Sequence, residues 1–82
     1  MLTVQFLARY REELGCETEQ LTWQKQWQRI EDVRQFLVAR SGAWAVLEDS
    51  RIMCARNQDL CPLNEEIKAG DELAFFPMVT GG

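Results

Sequence analysis

Hydrophobic residues follow two different periods along this chain. They alternate with polar residues over Leu2–Leu7, except that Leu7 falls on the polar face, and this pattern predicts a half-buried strand. They recur every three to four positions over Ile30–Arg40, which predicts the one main helix. A short apolar run at Glu72–Phe76 predicts the last strand, and Pro77 ends it because proline cannot donate to a ladder. The apolar face of the helix consists of Ile30, Val33 and Leu37.

The remaining elements are shorter and their patterns are weaker. Gln28 and Arg29 are not preferred N-cap residues, so we expect the main helix to begin without an ordinary cap. Trp44 and Leu47 are expected to pack under the end of that helix. The other predictions are a short helix at Ala8–Leu14 closed by Gly15, strands at Glu17–Trp23 and Met53–Asn57, and an irregular segment at Leu60–Ala69 with one helical turn at Asn64–Ile67.

This order of elements predicts an α+β fold. One mixed sheet would carry the main helix on one face. The first and last strands are the most apolar, so we expect them side by side at the centre of the sheet. The chain of 82 residues suffices for one domain, predicted at 1–77, followed by a flexible C-terminal tail at 78–82.

The composition excludes several classes of function. Nine basic and thirteen acidic residues give a net charge of −4, which disfavours nucleic acid and anionic membranes as partners. The sequence contains no histidine, which removes Ser-His-Asp and Cys-His catalysis and zinc sites with histidine ligands. No apolar run is long enough to span a bilayer, and the N-terminus lacks the features of a signal peptide. We therefore expect a cytoplasmic protein.

The three cysteines are Cys16, Cys54 and Cys61, and no pair has C-x-x-C spacing. Their odd number disfavours a disulfide framework, and three cannot supply the four ligands of an ordinary iron–sulfur cluster. We interpret them as small apolar residues, with Cys16 the best candidate for a reactive thiol because it lies in a predicted loop. Trp23 and Trp27 are open to two interpretations, packing against the domain or an additional binding patch.

The chain ends in Gly81-Gly82, which follow the apolar residues Met78 and Val79. If extended, the five residues after Pro77 span roughly 16 Å, enough to enter a cleft of another protein. Glycines without side chains let a narrow channel reach the terminal carboxylate. A carboxylate is a poor electrophile, so a partner enzyme must first convert it into a mixed anhydride. The tail thus predicts a chain that is a substrate of other enzymes.

The chain resembles the small subunits of molybdopterin synthase, which are sulfur carriers of the β-grasp, or ubiquitin-like, superfamily. The final run reads G-D-E-L-A-F-F-P-M-V-T-G-G and departs from the family pattern at Met78, where the family has a second proline. This change makes the tail less stiff, so binding must order one more residue. The matching segments are Leu2–Leu7, Ala8–Gly15, Val33–Gln35, Asn57-Gln58, Leu63 and Gly70–Gly82.

The resemblance implies a mechanism in which this chain is not catalytic alone and binds no cofactor. An ATP-dependent adenylyltransferase would adenylate Gly82, and a sulfur donor protein would convert it to a thiocarboxylate. The tail would then enter the large subunit of a heterotetramer and pass sulfur to cyclic pyranopterin monophosphate. The implied partner-binding residues are Leu7, Arg11, Leu60, Phe76, Pro77, Met78, Val79 and Thr80, with Gly81 and Gly82 as the reacting end.

Other functions compete with this one. The same thiocarboxylate could serve thiamine synthesis, cysteine synthesis or tRNA thiolation. A ubiquitin-like interaction module or protein modifier would have a similar end. An independent enzyme is disfavoured, because the sequence offers no constellation of acid, base and nucleophile.

Overall fold

The computed structural model describes residues 1–78 of the chain. Over these residues it contains five strands, two α-helices and one 3₁₀ helix. Their bounds are β1 Leu2–Phe6, α1 Arg9–Leu14, β2 Thr18–Leu21, α2 Ile30–Val38, the 3₁₀ helix Gly42–Glu48, β3 Met53–Arg56, β4 Asp59–Cys61 and β5 Glu72–Phe76.

The five strands form one mixed sheet in the order β2-β1-β5-β3-β4. The central pair, β1 and β5, is parallel, and the three other pairs are antiparallel. The predicted α+β architecture and the predicted central position of the first and last strands are confirmed. Because β1 and β5 run in the same direction, their carboxyl ends lie at the same edge of the sheet.

The core lies between one face of the sheet and α2. Alternate residues of β1 and β5 point to this face and are fully buried, and Phe6 and Phe75 stack with their ring centroids 6.5 Å apart. The rings of Trp44 and Phe6 meet edge to face with their centroids 5.4 Å apart, and Leu47 is fully buried, as predicted for the end of the helix. The side chains of α2 that complete the core are Ile30, Val33 and Leu37.

The start of α2 is capped from inside the helix. One carboxylate oxygen of Asp32 accepts hydrogen bonds from the backbone N–H groups of Gln28, at 2.8 Å, and Arg29, at 3.0 Å. A carboxylate in the first turn also suits the positive end of the helix dipole. Asp32 therefore satisfies the two N–H groups that precede the helix, while the carbonyls of Glu65 and Leu63 accept from its first N–H groups, those of Ile30 and Glu31.

The prediction for residues 60–69 is wrong in two respects. Residues Asp59–Cys61 form β4, which pairs with β3 across a two-residue turn at Asn57-Gln58. Both turn residues have positive φ, 51° and 73°, as in the type I′ turns that suit antiparallel hairpins.

The helical turn predicted at Asn64–Ile67 is absent from the described chain. Its backbone bonds instead to the segment that leads into α2: Ile30 N–H donates to the Glu65 carbonyl, and Ile67 N–H donates to the Gln28 carbonyl. These tertiary hydrogen bonds use the groups that a local helical turn would need.

Several element ends differ from the predictions by a few residues. The strand β2 covers only part of the predicted Glu17–Trp23, and α2 ends at Val38 rather than Arg40. The strand β1 ends at Phe6, but Leu7 N–H still donates to the Phe75 carbonyl at 3.0 Å. Within residues 1–78, no helix has the length and hydrophobicity needed to cross a membrane.

Candidate interaction surface and tail exit

The face of the sheet opposite α2 carries a cluster of apolar side chains. Strand register places Phe76 opposite Met53, Ala74 opposite Ala55, and Ala55 opposite Leu60. Leu7 joins this face because it follows Gln5 by two residues, and Gln5 is opposite Ala74. We call this cluster the open-face patch; its members are Leu7, Met53, Ala55, Leu60, Ala74 and Phe76.

The open-face patch is partly accessible to solvent. Leu60 is 69% exposed, while Leu7, Met53 and Phe76 are half-buried. The other half of the same face is polar, because β2 presents Thr18 and Gln20 there. An apolar patch with a polar border is typical of a protein interaction site.

The three apolar residues that the resemblance assigned to a partner interface thus share one face. Leu7 and Phe76 lie at the ends of the neighbouring central strands β1 and β5, and Leu60 lies on the edge strand β4, two strands from β5. Sequence reasoning missed Met53, Ala55 and Ala74, the residues that join them. Met53, Cys54 and Ala55 are all apolar, so β3 shows no alternation, and only its register with β5 shows which of its residues face outwards.

The C-terminal segment leaves the sheet beside the open-face patch. After Phe76, Pro77 is half-buried and Met78 is 49% exposed. The predicted reacting end and tail contacts at Val79, Thr80, Gly81 and Gly82 lie outside the described residues. The predicted division between a domain at 1–77 and a tail at 78–82 stays a prediction.

Arg11 lies on α1 and not on the sheet. Its guanidinium is 4.0 Å from the Glu17 carboxylate, and both side chains are at least half exposed. Solvent strongly screens the attraction in this exposed ion pair. Arg11 is accessible to a partner, and its predicted role in binding stays a prediction.

A buried carboxylate holds the beginning of β5. The Asp71 side chain is only 10% exposed and accepts hydrogen bonds from Arg56 Nε at 2.8 Å, Asn57 Nδ2 at 3.1 Å and Lys68 N–H at 2.7 Å. Burial alone would raise the pKa of Asp71, but these three donors together lower it below 3.8. Asp71 therefore ties β5 to the β3–β4 turn and is charged at neutral pH.

The described residues offer little chemistry of their own. No group of three or more Cys, Asp or Glu side chains within 1–78 could hold a metal ion. A surface depression of about 500 Å³ is lined by Ile67 and by charged and amide side chains, among them Arg29, Arg56 and Glu65, and by no thiol or hydroxyl group. Burial and the nearby Glu19 raise the pKa of the Cys16 thiol, which argues against the reactivity that its loop position suggested.

Trp23 and Trp27 contact each other, and Trp27 contacts the main helix. Their rings meet edge to face at 5.8 Å, and Trp27 meets Phe36 of α2 at 5.3 Å. Trp27 is 5% exposed, which favours packing as its role. Trp23 is half-buried and packs against the same core.

The chain matches the model of the ThiS family over residues 4–82. The molybdopterin synthase sulfur carrier subunit of Haemophilus influenzae is 43% identical over 83 residues, and that of Escherichia coli K12 is 39% identical over 83 residues. Both matches cover the full length of both proteins.

A solved structure shares the fold. SAMP1 from Haloferax volcanii, a small archaeal modifier protein, superposes with a TM-score of 0.76 at 28% identity, covering 99% of this chain and 98% of its own. The β-grasp fold expected from the resemblance is confirmed. This chain belongs to the ThiS family.

Proposed function

We propose that this protein is the sulfur carrier subunit of a molybdopterin synthase. The observation that carries the proposal is the continuity of the open-face patch with the exit of the C-terminal tail. A partner that covers Leu7 and Phe76 receives the residues that follow Phe76 at the same edge. The full-length similarity to two sulfur carrier subunits supports the same function.

The reaction takes place at the Gly82 carboxylate. A carboxylate oxygen attacks the α-phosphorus of ATP on an adenylyltransferase, and diphosphate leaves. A persulfide of a sulfur donor protein then attacks the acyl carbon and displaces AMP, which gives an acyl disulfide. A thiol then attacks the donor protein's sulfur in that disulfide, so the S–S bond breaks and the thiocarboxylate is left on Gly82. In the large subunit this sulfur passes to cyclic pyranopterin monophosphate, and water restores the carboxylate.

The domain itself supplies recognition. Leu7, Leu60 and Phe76 pack against the large subunit, and Pro77 and Met78 lead the tail into it, with Val79 and Thr80 following. Arg11 contacts the activating enzyme or the large subunit. ATP binds to the activating enzyme, so this chain needs no cofactor of its own, and we place the assembled heterotetramer in the cytoplasm.

The first experiment is intact and fragment mass spectrometry of the protein purified from cells with an active molybdenum cofactor pathway. We expect an oxygen-to-sulfur exchange located at Gly82. Fragment data are needed because an oxidised Met or Cys gives nearly the same gain in mass. A Gly82 that stays a carboxylate and is also inert to ATP with candidate activating enzymes would refute the carrier function.

A second experiment separates the tail from the domain. Deletion of Gly82 should leave the Tm unchanged and abolish sulfur transfer. Sulfur transfer that survives the deletion would contradict the assignment of the reacting end.

The docking role of the open-face patch is tested with Leu60→Asp. Because Leu60 is 69% exposed, the change should barely affect the Tm. It should weaken binding to the large subunit by roughly 10- to 100-fold, since it places a charge in an apolar contact. Gln20→Asp is the matched control, because it adds the same charge to the polar half of the same face. Equal affinities of the two variants would exclude this patch as the interface.

A protein modifier is the second candidate function, favoured by the similarity to SAMP1. In that case an amine, rather than sulfur, would attack the activated Gly82 and form an isopeptide. Fragment spectra of the covalent products distinguish the two functions. Thiocarboxylate delivery to thiamine, cysteine or tRNA pathways differs only in the acceptor, which reconstitution with each partner identifies.

A further inference from the structure

Two of the three cysteines lie directly opposite each other in the sheet. Cys54 of β3 and Cys61 of β4 are register partners in an antiparallel pair. Directly opposite residues project from the same face of the sheet, and this pair lies on the face that packs toward the core. Cys16 precedes β2 at the opposite end of the strand order.

The distances suit a covalent link. Opposite Cα atoms in antiparallel strands are about 4.5–5.5 Å apart, within the range of about 4.4–6.8 Å that disulfides span. The Cys54 thiol already donates a hydrogen bond to the Cys61 carbonyl at 3.1 Å. To meet the Cys61 sulfur, the Cys54 side chain must turn away from this carbonyl.

The two thiols differ in accessibility. Cys54 is 2% exposed, and Cys61 is half-buried on the short edge strand. Burial raises the pKa of Cys54 to about 12. Burial also raises the pKa of Cys61, while a hydrogen bond from Cys54 lowers it and offsets part of that effect. Cys61 is therefore the thiol that a reagent in solution meets first.

We infer that Cys54 and Cys61 form a reversible disulfide that links β3 to β4. The oxidant is the disulfide of a small thiol such as glutathione. The Cys61 thiolate attacks one sulfur of that disulfide, its S–S bond breaks, and one small thiol leaves with a proton. The Cys54 sulfur then attacks the Cys61 sulfur and displaces the second small thiol, so two electrons pass from the pair to the oxidant.

The link would fasten the edge strand that carries Leu60. The strand β4 has three residues and pairs only with β3 among the described residues. A covalent bond at Cys61 limits fraying of this edge, which contributes Leu60 to the open-face patch. The inference does not depend on the proposed sulfur chemistry at Gly82.

The test equilibrates the purified full chain with a series of glutathione disulfide to glutathione ratios. Free thiols are then blocked with N-ethylmaleimide, and peptide mapping locates the links. We expect a Cys54–Cys61 disulfide to be the main oxidised product, with Cys16 blocked. Oxidation should raise the Tm by roughly 5–10 °C and slow amide exchange in β4. Formation of the disulfide by thiol–disulfide exchange should also become faster as pH rises, because the thiolate is the nucleophile.

Two variants make the outcome decisive. Cys16→Ser should form the same disulfide, while Cys61→Ser should show neither the link nor the rise in Tm. Three free thiols at every ratio, a stable mixed disulfide at Cys61, or a link that includes Cys16 would each overturn the inference. All three outcomes can be read from the unaltered protein, so the test does not depend on how the variants fold.

Discussion

Asp71 offers the sharpest test of how this sequence holds its central strand in place. One carboxylate oxygen accepts from Arg56 and from the Lys68 N–H, and the other accepts from Asn57. Replacing Asp71 with Asn keeps the shape and turns one acceptor into an NH₂ donor. Whichever way the amide is oriented, at least one of the existing donors then faces another donor.

The expected cost follows from these contacts. A hydrogen bond to a charged group contributes about 1.5–3 kcal/mol, and a buried donor left without an acceptor costs about 1–3 kcal/mol. We expect Asp71→Asn to lower the free energy of unfolding by about 2–3 kcal/mol. In a domain of this size that corresponds to a fall in Tm of roughly 8–20 °C.

Urea unfolding followed by tryptophan fluorescence measures this cost. Asp59→Asn is the matched control, because Asp59 is an exposed residue of β4 and the same charge is removed. The control should change stability by no more than about 0.5 kcal/mol. Equal midpoints for the two variants, with unchanged m-values, would refute the structural role of Asp71.

The same experiment repeated in acid tests the electrostatic part of the argument. The folded pKa of Asp71 lies below its ordinary value of 3.8, so its stabilisation is present above that value and is lost as pH falls through the folded pKa. The difference between the unaltered protein and Asp71→Asn should therefore shrink below about pH 4. A difference that stays constant down to pH 2 would show that charge plays no part.

Three further predictions concern other parts of the domain. Tyr10→Phe should lower the free energy of unfolding in urea by about 1 kcal/mol, because the Tyr10 hydroxyl donates to Asp49 at 3.1 Å. Burial and Asp49 raise the pKa of Tyr10 from 10.0 to about 12, so the difference in stability between the unaltered protein and Tyr10→Phe should diminish between pH 10 and 12. Gln58→Gly should raise stability by about 0.5 kcal/mol in the same assay, since glycine removes the left-handed strain at φ 73°. The hydrogen bond from Arg40 lowers the pKa of Glu19 below 4.5, so the unaltered protein should lose more stability than Arg40→Gln as pH falls below that value.

The sequence predicted those elements whose own side chains alternate or repeat. The strand β1 and the helix α2 each bury one clear apolar face, so their periods match their structures, while β5 was visible as a short apolar run. The strand β4 could not be predicted this way, because Asp59–Cys61 is too short to show a period. It is a strand because the turn at Asn57-Gln58 folds it back onto β3.

The candidate site was predictable to a different degree. Leu7 was visible as an apolar residue out of phase with its strand, and the resemblance supplied Leu60 and Phe76. That these residues share one face with Met53 depends on strand register, which involves residues far apart in the sequence. The burial of Asp71 was equally hidden, since a Gly-Asp pair before a strand suggests an exposed turn.

Under the proposed function, the position of β5 explains how a domain with so little chemistry of its own takes part in a covalent reaction. The strand β5 has a neighbour on each side, Phe75 anchors it in the core, and Asp71 fixes its beginning. Partners can therefore bind and modify the residues after Phe76 without disturbing the strand that precedes them. Substitutions in the Asp71 network should change stability and leave the chemistry at Gly82 intact in the folded fraction. Changes at Gly82 should abolish that chemistry and leave stability unchanged. Under the proposed function, the fold and the reaction are separable because the reacting residues follow the end of the central strand.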